Sequence, residues 1–468
     1  MLKVSSLRSK VSRSSREKSL TVEVNTTLRF FGVMDNQMTK KKVSPYVIIL
    51  SGFAALILIG GLLLMLPFST KEGISAVDAF FLSASSVCIT GLSSVNLSAT
   101  FTTFGQAVIA LLIQLGGLGF VTVGMTVVCM LGLKMGLAST RLIDETLGSD
   151  GSLDYKKFLF RAVLITLAVE LFGFLLNLIA LAKSYTGIKL VFVSLFHAVS
   201  SFNNAGLDLF GEGMIPFQEN YLLLFSTAIL TIIGGLGFIV INDVVCMRKW
   251  RKFSVHTKIV LSITPVLIVV GGCLFFFSEW GKIDFANALF MSVMARTCGF
   301  STQDLSSWSS ASLCILNLLM FIGAGPVSTG GGIKCTTAFI LICSLVAFVR
   351  GKSTVVFHRR ISRESVIHAM SVTVVAMIYV FLTVTVLCAL ESNMSELFLL
   401  TEVVSALANV GFSAGITAEL CLASKIILTL AMFVGRVGFL TAFFIFRKRW
   451  GNSENEDVRY VQANVVIG

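Results

Sequence analysis

The sequence predicts an all-α integral membrane protein made of four consecutive repeats. Each repeat is a span, a re-entrant half-helix with its turn, and a second span, giving eight spans and four half-helices. Three observations carry this expectation. Of 468 residues, 55% are hydrophobic and only 13% are charged, about half the charged fraction of a soluble domain. Apolar runs long enough to cross a bilayer, about 20 residues, alternate with runs too short to do so. Four glycine-centred stretches recur at a period of roughly a hundred residues, which marks an internal repeat: CITGLS from Cys88, FNNAGLD from Phe202, ARTCGFST from Ala295 and NVGFSAG from Asn409. Turns at one membrane depth would meet on an axis, where backbone carbonyls would replace the hydration shell of a cation.

Residues 1–44 are polar and basic and contain no apolar stretch of signal-peptide type. They read as a cytoplasmic tail. The first repeat, 45–133, opens with a span over 46–66 that ends at Pro67. A polar break at Lys71 and Glu72 precedes a half-helix over 75–88, with Ser75 and Asp78 where a cap and an anion suit a helix N-terminus. The chain turns at Thr90-Gly91 and returns as an apolar run from Phe104 to Leu133. The second repeat, 156–248, reads the same way over 159–182, 188–202 and 221–247. The third, 256–349, has 257–278, 284–297 and 311–349. The fourth, 364–446, has 366–390, 395–409 and 424–446, and a polar tail follows at 447–468.

Loop charges set the orientation. Lys40, Lys41 and Lys42 precede the first span; Lys134, Arg141, Lys156, Lys157 and Arg161 follow the first repeat; Arg248, Lys249, Arg251 and Lys252 follow the second; Arg350, Lys352, Arg359, Arg360 and Arg363 follow the third; Arg447, Lys448 and Arg449 follow the fourth. The opposite loops hold few basic residues. The positive-inside rule therefore places both termini and the inter-repeat loops in the cytoplasm.

The second spans share a glycine mark: GGLGF at Gly116, GGLGF at Gly234, GAGPV at Gly323 and GRVGF at Gly435. Glycine lets helices approach closely in lipid. The third repeat stands out. As one helix, 311–349 would be roughly 58 Å long, against a hydrocarbon core of about 30 Å. Its middle, 323–334, holds Gly323, Gly325, Pro326, Ser328, Thr329, Gly330, Gly331, Gly332 and Lys334, and glycine and proline break helices. The expectation is a broken second helix with an intramembrane loop. A plain loop between two separate spans would put Arg359 and Arg360 outside, against the charge rule.

Ionisable residues within spans are functional candidates. Arg436, mid-span in GRVGF, reads either as a pore-facing charge or as half of an ion pair, with Glu170 an available acid. Glu170, Glu402 and His197 read as locally hydrogen-bonded packing groups.

Other chemistries find little support. The net charge of +12 lies in loops and tails rather than in a nucleic-acid face. The ten cysteines form no CxxC, the four histidines no HExxH, so neither a metal nor a disulfide framework is indicated. GPVSTGGGIK lacks the Gly-Lys-Ser/Thr ending of a phosphate-binding loop, and GGLGFVT and GGLGFIV do not fit GxGxxG.

TGL at Thr90, FNNAG at Phe202, RTCGF at Arg296, GAGPVSTGGGIK at Gly323 and GRVGF at Gly435 together resemble the Trk/Ktr/HKT superfamily of potassium transporters, and most of all the membrane subunit of bacterial Ktr systems, over residues 44 to 447. The resemblance implies four helix–pore-loop–helix units around one central pore, a homodimer, and a cytoplasmic ring of nucleotide-binding RCK subunits as partner. It implies potassium uptake across a bacterial plasma (inner) membrane, not an enzymatic reaction. The expected filter is Ile89, Thr90 and Gly91, Asn204, Ala205 and Gly206, Thr297, Cys298 and Gly299, and Asn409, Val410 and Gly411. The 323–334 loop would gate below it, and Arg436 would point into the path. All four filter positions are glycine, as in potassium-selective members. Cys298 and Ser301 depart from the Ala and Asn expected there. No cofactor is expected in the chain; potassium is the expected cargo, with sodium open as a coupling or activating ion. The alternative is a coupled sodium/potassium or other cation secondary transporter. Outside this family such a transporter would show inverted repeats, whereas these four run the same way.

Overall fold

A computed structural model describes residues 45–119, 122 and 155–438. The expectations for 1–44, for most of 120–154 and for 439–468 lie outside the described residues.

Four long helices anchor the architecture: α1 (Pro45–Leu64), α4 (Tyr155–Leu181), α8 (Val255–Ser278) and α12 (Arg363–Leu390). Each is long and apolar enough to cross a membrane. A short apolar helix follows each: α2 (Ala76–Cys88), α5 (Gly187–Phe202), α9 (Phe285–Met294) and α13 (Glu396–Ala408). After each short helix and its turn comes a third: α3 (Thr103–Leu118), α6 (Tyr221–Leu236), α10 (Ser310–Phe321) and α14 (Leu422–Val437). Helix α7 (Phe238–Met247) continues from α6, and α11 (Cys335–Val349) follows α10. Between α11 and α12, β1 (Val355–Val356) pairs antiparallel with β2 (Arg359–Arg360), a small hairpin that an all-α reading does not include.

Local chemistry sets the helix starts. Ser75 accepts from the Asp78 amide and donates to its carboxylate at 2.6 Å, a reciprocal cap on α2. Asp284 caps α9 through the Asn287 amide, and Ser254 and Ser362 cap α8 and α12. Gly-Gly pairs in α1 and α8 admit the short helices: a Cβ at Gly61 would strike Phe80, and one at Gly272 would strike Leu289.

The packing is cyclic. Each long helix lies along the short helix that follows it in sequence. Each of the third helices packs against the next short helix: α3 on α5, α6 on α9, α10 on α13, and α14 back on α2. The last seam is bridged by an ion pair, Lys425 Nζ to Asp78 Oδ1 at 2.9 Å.

One expectation is corrected. The run 221–247 is not one continuous helix: α6 and α7 meet at Gly237 and are bent by 93°. Gly237 sits at φ 96° and ψ 144°, a conformation open to glycine alone. The bend is held from outside, since the Phe238 amide donates to the Val327 carbonyl at 2.9 Å and the Pro326 carbonyl fills the space where a Cβ would sit. Helices α3 and α14 end in the same way, at Gly119 (φ 75°, ψ 129°) and Gly438 (φ 91°, ψ 140°). The break between α10 and α11 is therefore not the only interruption among the described helices. There, α10 stops at Phe321 and α11 starts at Cys335, and the neck of the intervening loop is closed by Gly323 N to Ile333 O at 2.8 Å.

Candidate functional site

The C-terminal ends of the four short helices converge. Two of them are capped by a left-handed residue, Ile89 (φ 59°) and Asn409 (φ 51°), and in α5 the left-handed Asn204 (φ 59°) follows the right-handed cap Asn203. For a β-branched residue such as Ile89 this backbone is a genuine outlier. The glycines that follow also have positive φ: Gly91 96°, Gly206 67°, Gly299 55° and Gly411 97°. They face one another in cyclic order. A Cβ at Gly91 would meet the Ala205 carbonyl oxygen, one at Gly206 that of Cys298, one at Gly299 that of Val410, and one at Gly411 that of Thr90. All four glycines line one cavity of about 440 Å³, which Asp208, Glu212 and Asp304 also border. The structure thus brings together every expected residue group of the four turns.

Polar side chains hold the turns. Ser85 accepts from the Gly91 amide at 3.0 Å while its carbonyl takes the Thr90 amide at 2.8 Å. Ser405 does the same for Gly411 and Val410, both at 2.9 Å. The Ser200 carbonyl takes the Ala205 amide at 2.8 Å, and its hydroxyl donates to Leu207 O at 2.6 Å. The third turn has Val293 at the matching place, and there the Cys298 amide bonds back to Met294 O at 2.9 Å. These serines were missed in the sequence reading. Their signal was available: a serine six positions before the glycine in three turns of four.

Neighbouring turns are tied directly at two seams. Asn409 Nδ2 donates to Thr90 Oγ1 and to Met432 O, both at 2.9 Å. Thr297 Oγ1 lies 2.5 Å from the Asn204 amide, whose oxygen accepts when its NH₂ faces the carbonyls of Ser201, Phe202 and Thr231. At the other two seams the ties lie on the helices instead. Asn203 Nδ2 donates to Gln114 Oε1 at 2.8 Å and to Glu170 Oε1 at 3.0 Å, and Asn317 Nδ2 donates to Thr401 Oγ1 at 3.1 Å.

Below the turns, the 323–334 loop is stitched to its surroundings. Gly325 N donates to Gly235 O at 2.9 Å, Thr329 N to Gly234 O at 3.4 Å, and Lys334 Nζ to Gly330 O at 2.8 Å. Gly331 abuts Asn409 and the Ala408 carbonyl. Arg436 reaches the loop from α14: Nη1 donates to Thr329 O, and Nη2 donates to Gly116 O at the end of α3. No acid pairs with Arg436 among the described residues. The ion pair with Glu170 is therefore overturned, since Glu170 instead accepts from Gln114 and Asn203. Glu402 accepts from Ser413 and Thr417, and His197 bonds Thr227 at 2.8 Å between Phe210 and Phe300.

The profile of the TrkH family, described as cation transport protein, matches residues 23–270 and 278–457. The chain belongs to this family. Among its relatives, the Ktr system potassium uptake protein B of Bacillus subtilis is 37% identical over 441 residues, covering 91% of this chain and 97% of that one. The potassium/sodium uptake protein NtpJ of Enterococcus hirae is 32% identical, covering 92% and 98%. A second Ktr system potassium uptake protein B, from Vibrio alginolyticus, is 34% identical, covering 94% and 98%. The crystal structure of the potassium transporter TrkH from Vibrio parahaemolyticus superposes with a TM-score of 0.69 at 19% identity, covering 88% of this chain and 86% of that one. TrkH proteins are transporters rather than enzymes. This member, with its apolar helices, is a multi-pass membrane protein.

Proposed function

We propose that this chain takes up potassium through a single channel-like pore, formed by four helix–pore-loop–helix repeats whose turns make a four-glycine selectivity filter. The observation that carries this reading is the cyclic close approach of Gly91, Gly206, Gly299 and Gly411 around one cavity. Each glycine leaves room for the carbonyl of the next turn, and rings of carbonyls replace the hydration shell of a cation. The 323–334 loop acts as the gate. Arg436 fixes it in place and adds a positive charge to the path. The protein works in a bacterial plasma membrane with both termini cytoplasmic, as a homodimer on a cytoplasmic RCK-type nucleotide-binding ring. Two relatives are named as proteins of a Ktr system, which supports a separate regulatory subunit.

The test is potassium uptake by a potassium-uptake-deficient bacterium expressing this chain, with rubidium and sodium as competitors. Growth rescue with rubidium competing and sodium not competing is expected. A second reading, coupled or joint sodium and potassium transport, is favoured by the Enterococcus relative named for both ions. Uptake that requires sodium, or that carries it at a comparable rate, would select that reading.

A further inference from the structure

Arg296 stands at the end of α9, two residues before Cys298, and is 6% exposed. Its Nε has no hydrogen-bond partner. The ion pairs Lys425–Asp78 and Lys282–Glu279 do not involve it. Arginine stays charged in proteins, and a buried charge persists where it is paired or hydrogen-bonded. The buried acids Glu170 and Glu402 are engaged elsewhere, Glu170 with Gln114 and Asn203 and Glu402 with Ser413 and Thr417. Lys334 and Arg436 add further positive charge on the same side and spend donors on backbone carbonyls of the 323–334 loop.

The guanidinium lines a small cavity shared with Thr231, Thr264, Thr297, Gly235 and Ala324. The space accommodates a ligand of about the size of one water. A second polar atom there is also without a partner: the hydroxyl of Thr264, on a residue 5% exposed. The other two hydroxyls are used, Thr231 donating to Ser201 O and Thr297 bonding Asn204. The lining residues thus carry an unpartnered N–H, an unpartnered O–H and a full positive charge, and include no acid.

We propose that this cavity binds one small monovalent anion of the chloride class, held by Arg296 Nε–H and Thr264 O–H behind the third turn. A water would occupy the donors but leave the charge uncompensated. An anion does both, and it cancels a positive charge two residues from Cys298 of the third turn. Because Thr297 and Ala324 also line the site, the anion bridges the third turn and the 323–334 loop.

The test reads density and stability, so it is independent of the transport reading. Crystals of the full chain grown in potassium bromide are expected to show anomalous scattering within hydrogen-bond reach of Arg296. Thermal unfolding at equal potassium is expected about 3 °C higher in chloride than in gluconate. Thr264→Val keeps the shape and removes one donor, so it should lose most of that shift. Thr166→Val, which removes another buried hydroxyl without a partner, should retain it. Absence of bromide from the cavity, coincident melting in the two salts, or an undiminished shift in Thr264→Val would each overturn the assignment.

Discussion

Asn409 donates a hydrogen bond to the hydroxyl of Thr90, 2.9 Å away and 319 positions earlier in the chain. It links the fourth turn to the first at the level of the glycines. Thr90→Val removes the acceptor and keeps the shape. A single hydrogen bond contributes about 1 kcal/mol, so potassium-over-sodium discrimination is expected to fall about fivefold, while Thr90→Ser preserves it. Rubidium uptake with sodium competition, measured in membrane vesicles, checks this; an unchanged ratio in Thr90→Val would remove the tie from any role in selectivity.

Gly91→Ser and Gly299→Ser each place a Cβ against a carbonyl oxygen of the next turn, Ala205 and Val410 respectively. Both residues also have positive φ, where a side chain costs about 1–2 kcal/mol. Both variants are expected to insert and fold, with the displaced carbonyl admitting more sodium relative to potassium. Unchanged ion preference in both would count decisively against a four-turn filter.

Arg436→Ala is expected to raise the maximal uptake rate with little change in selectivity. At roughly 5 Å and an effective dielectric of about 20, a guanidinium opposes a monovalent cation by about 3 kcal/mol. The carbonyls of Thr329 and Gly116 that it meets offset part of that, so a rise of about tenfold is the expected scale. A stable, inserted variant no faster than wild type would sink the barrier role.

Removing Ser328 to Gly331 deletes the loop segment that meets Gly234 O, Arg436 and Asn409. Flux is expected to rise and to depend less on any cytoplasmic ring protein. Flux at background from a well-folded, inserted variant would make the loop structural rather than a gate.

At the end of α8, burial acts to raise the pKa of Glu279, but hydrogen bonds from Ser312, Lys282 and Ser309 outweigh it and lower the pKa to about 2. A depressed carboxylate stabilises the fold above its ordinary value of 4.5, and this stabilisation is lost as pH falls towards 2. The melting temperature should therefore drop on acidification from pH 5 to pH 3 by more in wild type than in Glu279→Gln. Equal acid sensitivity in the two proteins would contradict this account.

Much of the fold was legible because hydrocarbon thickness is a ruler: runs such as 46–66 and 75–88 differ in length by enough to separate a span from a short helix. The four glycines were legible because they repeat. The bend at Gly237 was not. GGLGFIVIND continues an apolar run, and a glycine inside one reads equally well as close packing; what bends it is the Pro326–Val327 backbone, ninety residues away. The partners of Arg436 were hidden for the same reason, being backbone carbonyls, which every residue carries. Ser85, Ser200 and Ser405 were within reach, but a serine in a short apolar helix carries meaning only once its distance to the turn is measured.

The cyclic packing leaves one join that no peptide bond crosses. Three of the four joins are spanned by the chain itself, whereas α14 and α2 must find each other. Asp78 and Lys425 lie 347 positions apart, so during synthesis the flank of α2 waits for nearly the whole protein to emerge. Until then lipid or the insertion machinery has to shelter it, with an acidic group at its edge. Arrival of α14 is thus what completes the packing around α2. A chain cut short before Leu422 would leave that flank permanently exposed, a defect that membrane quality control could recognise.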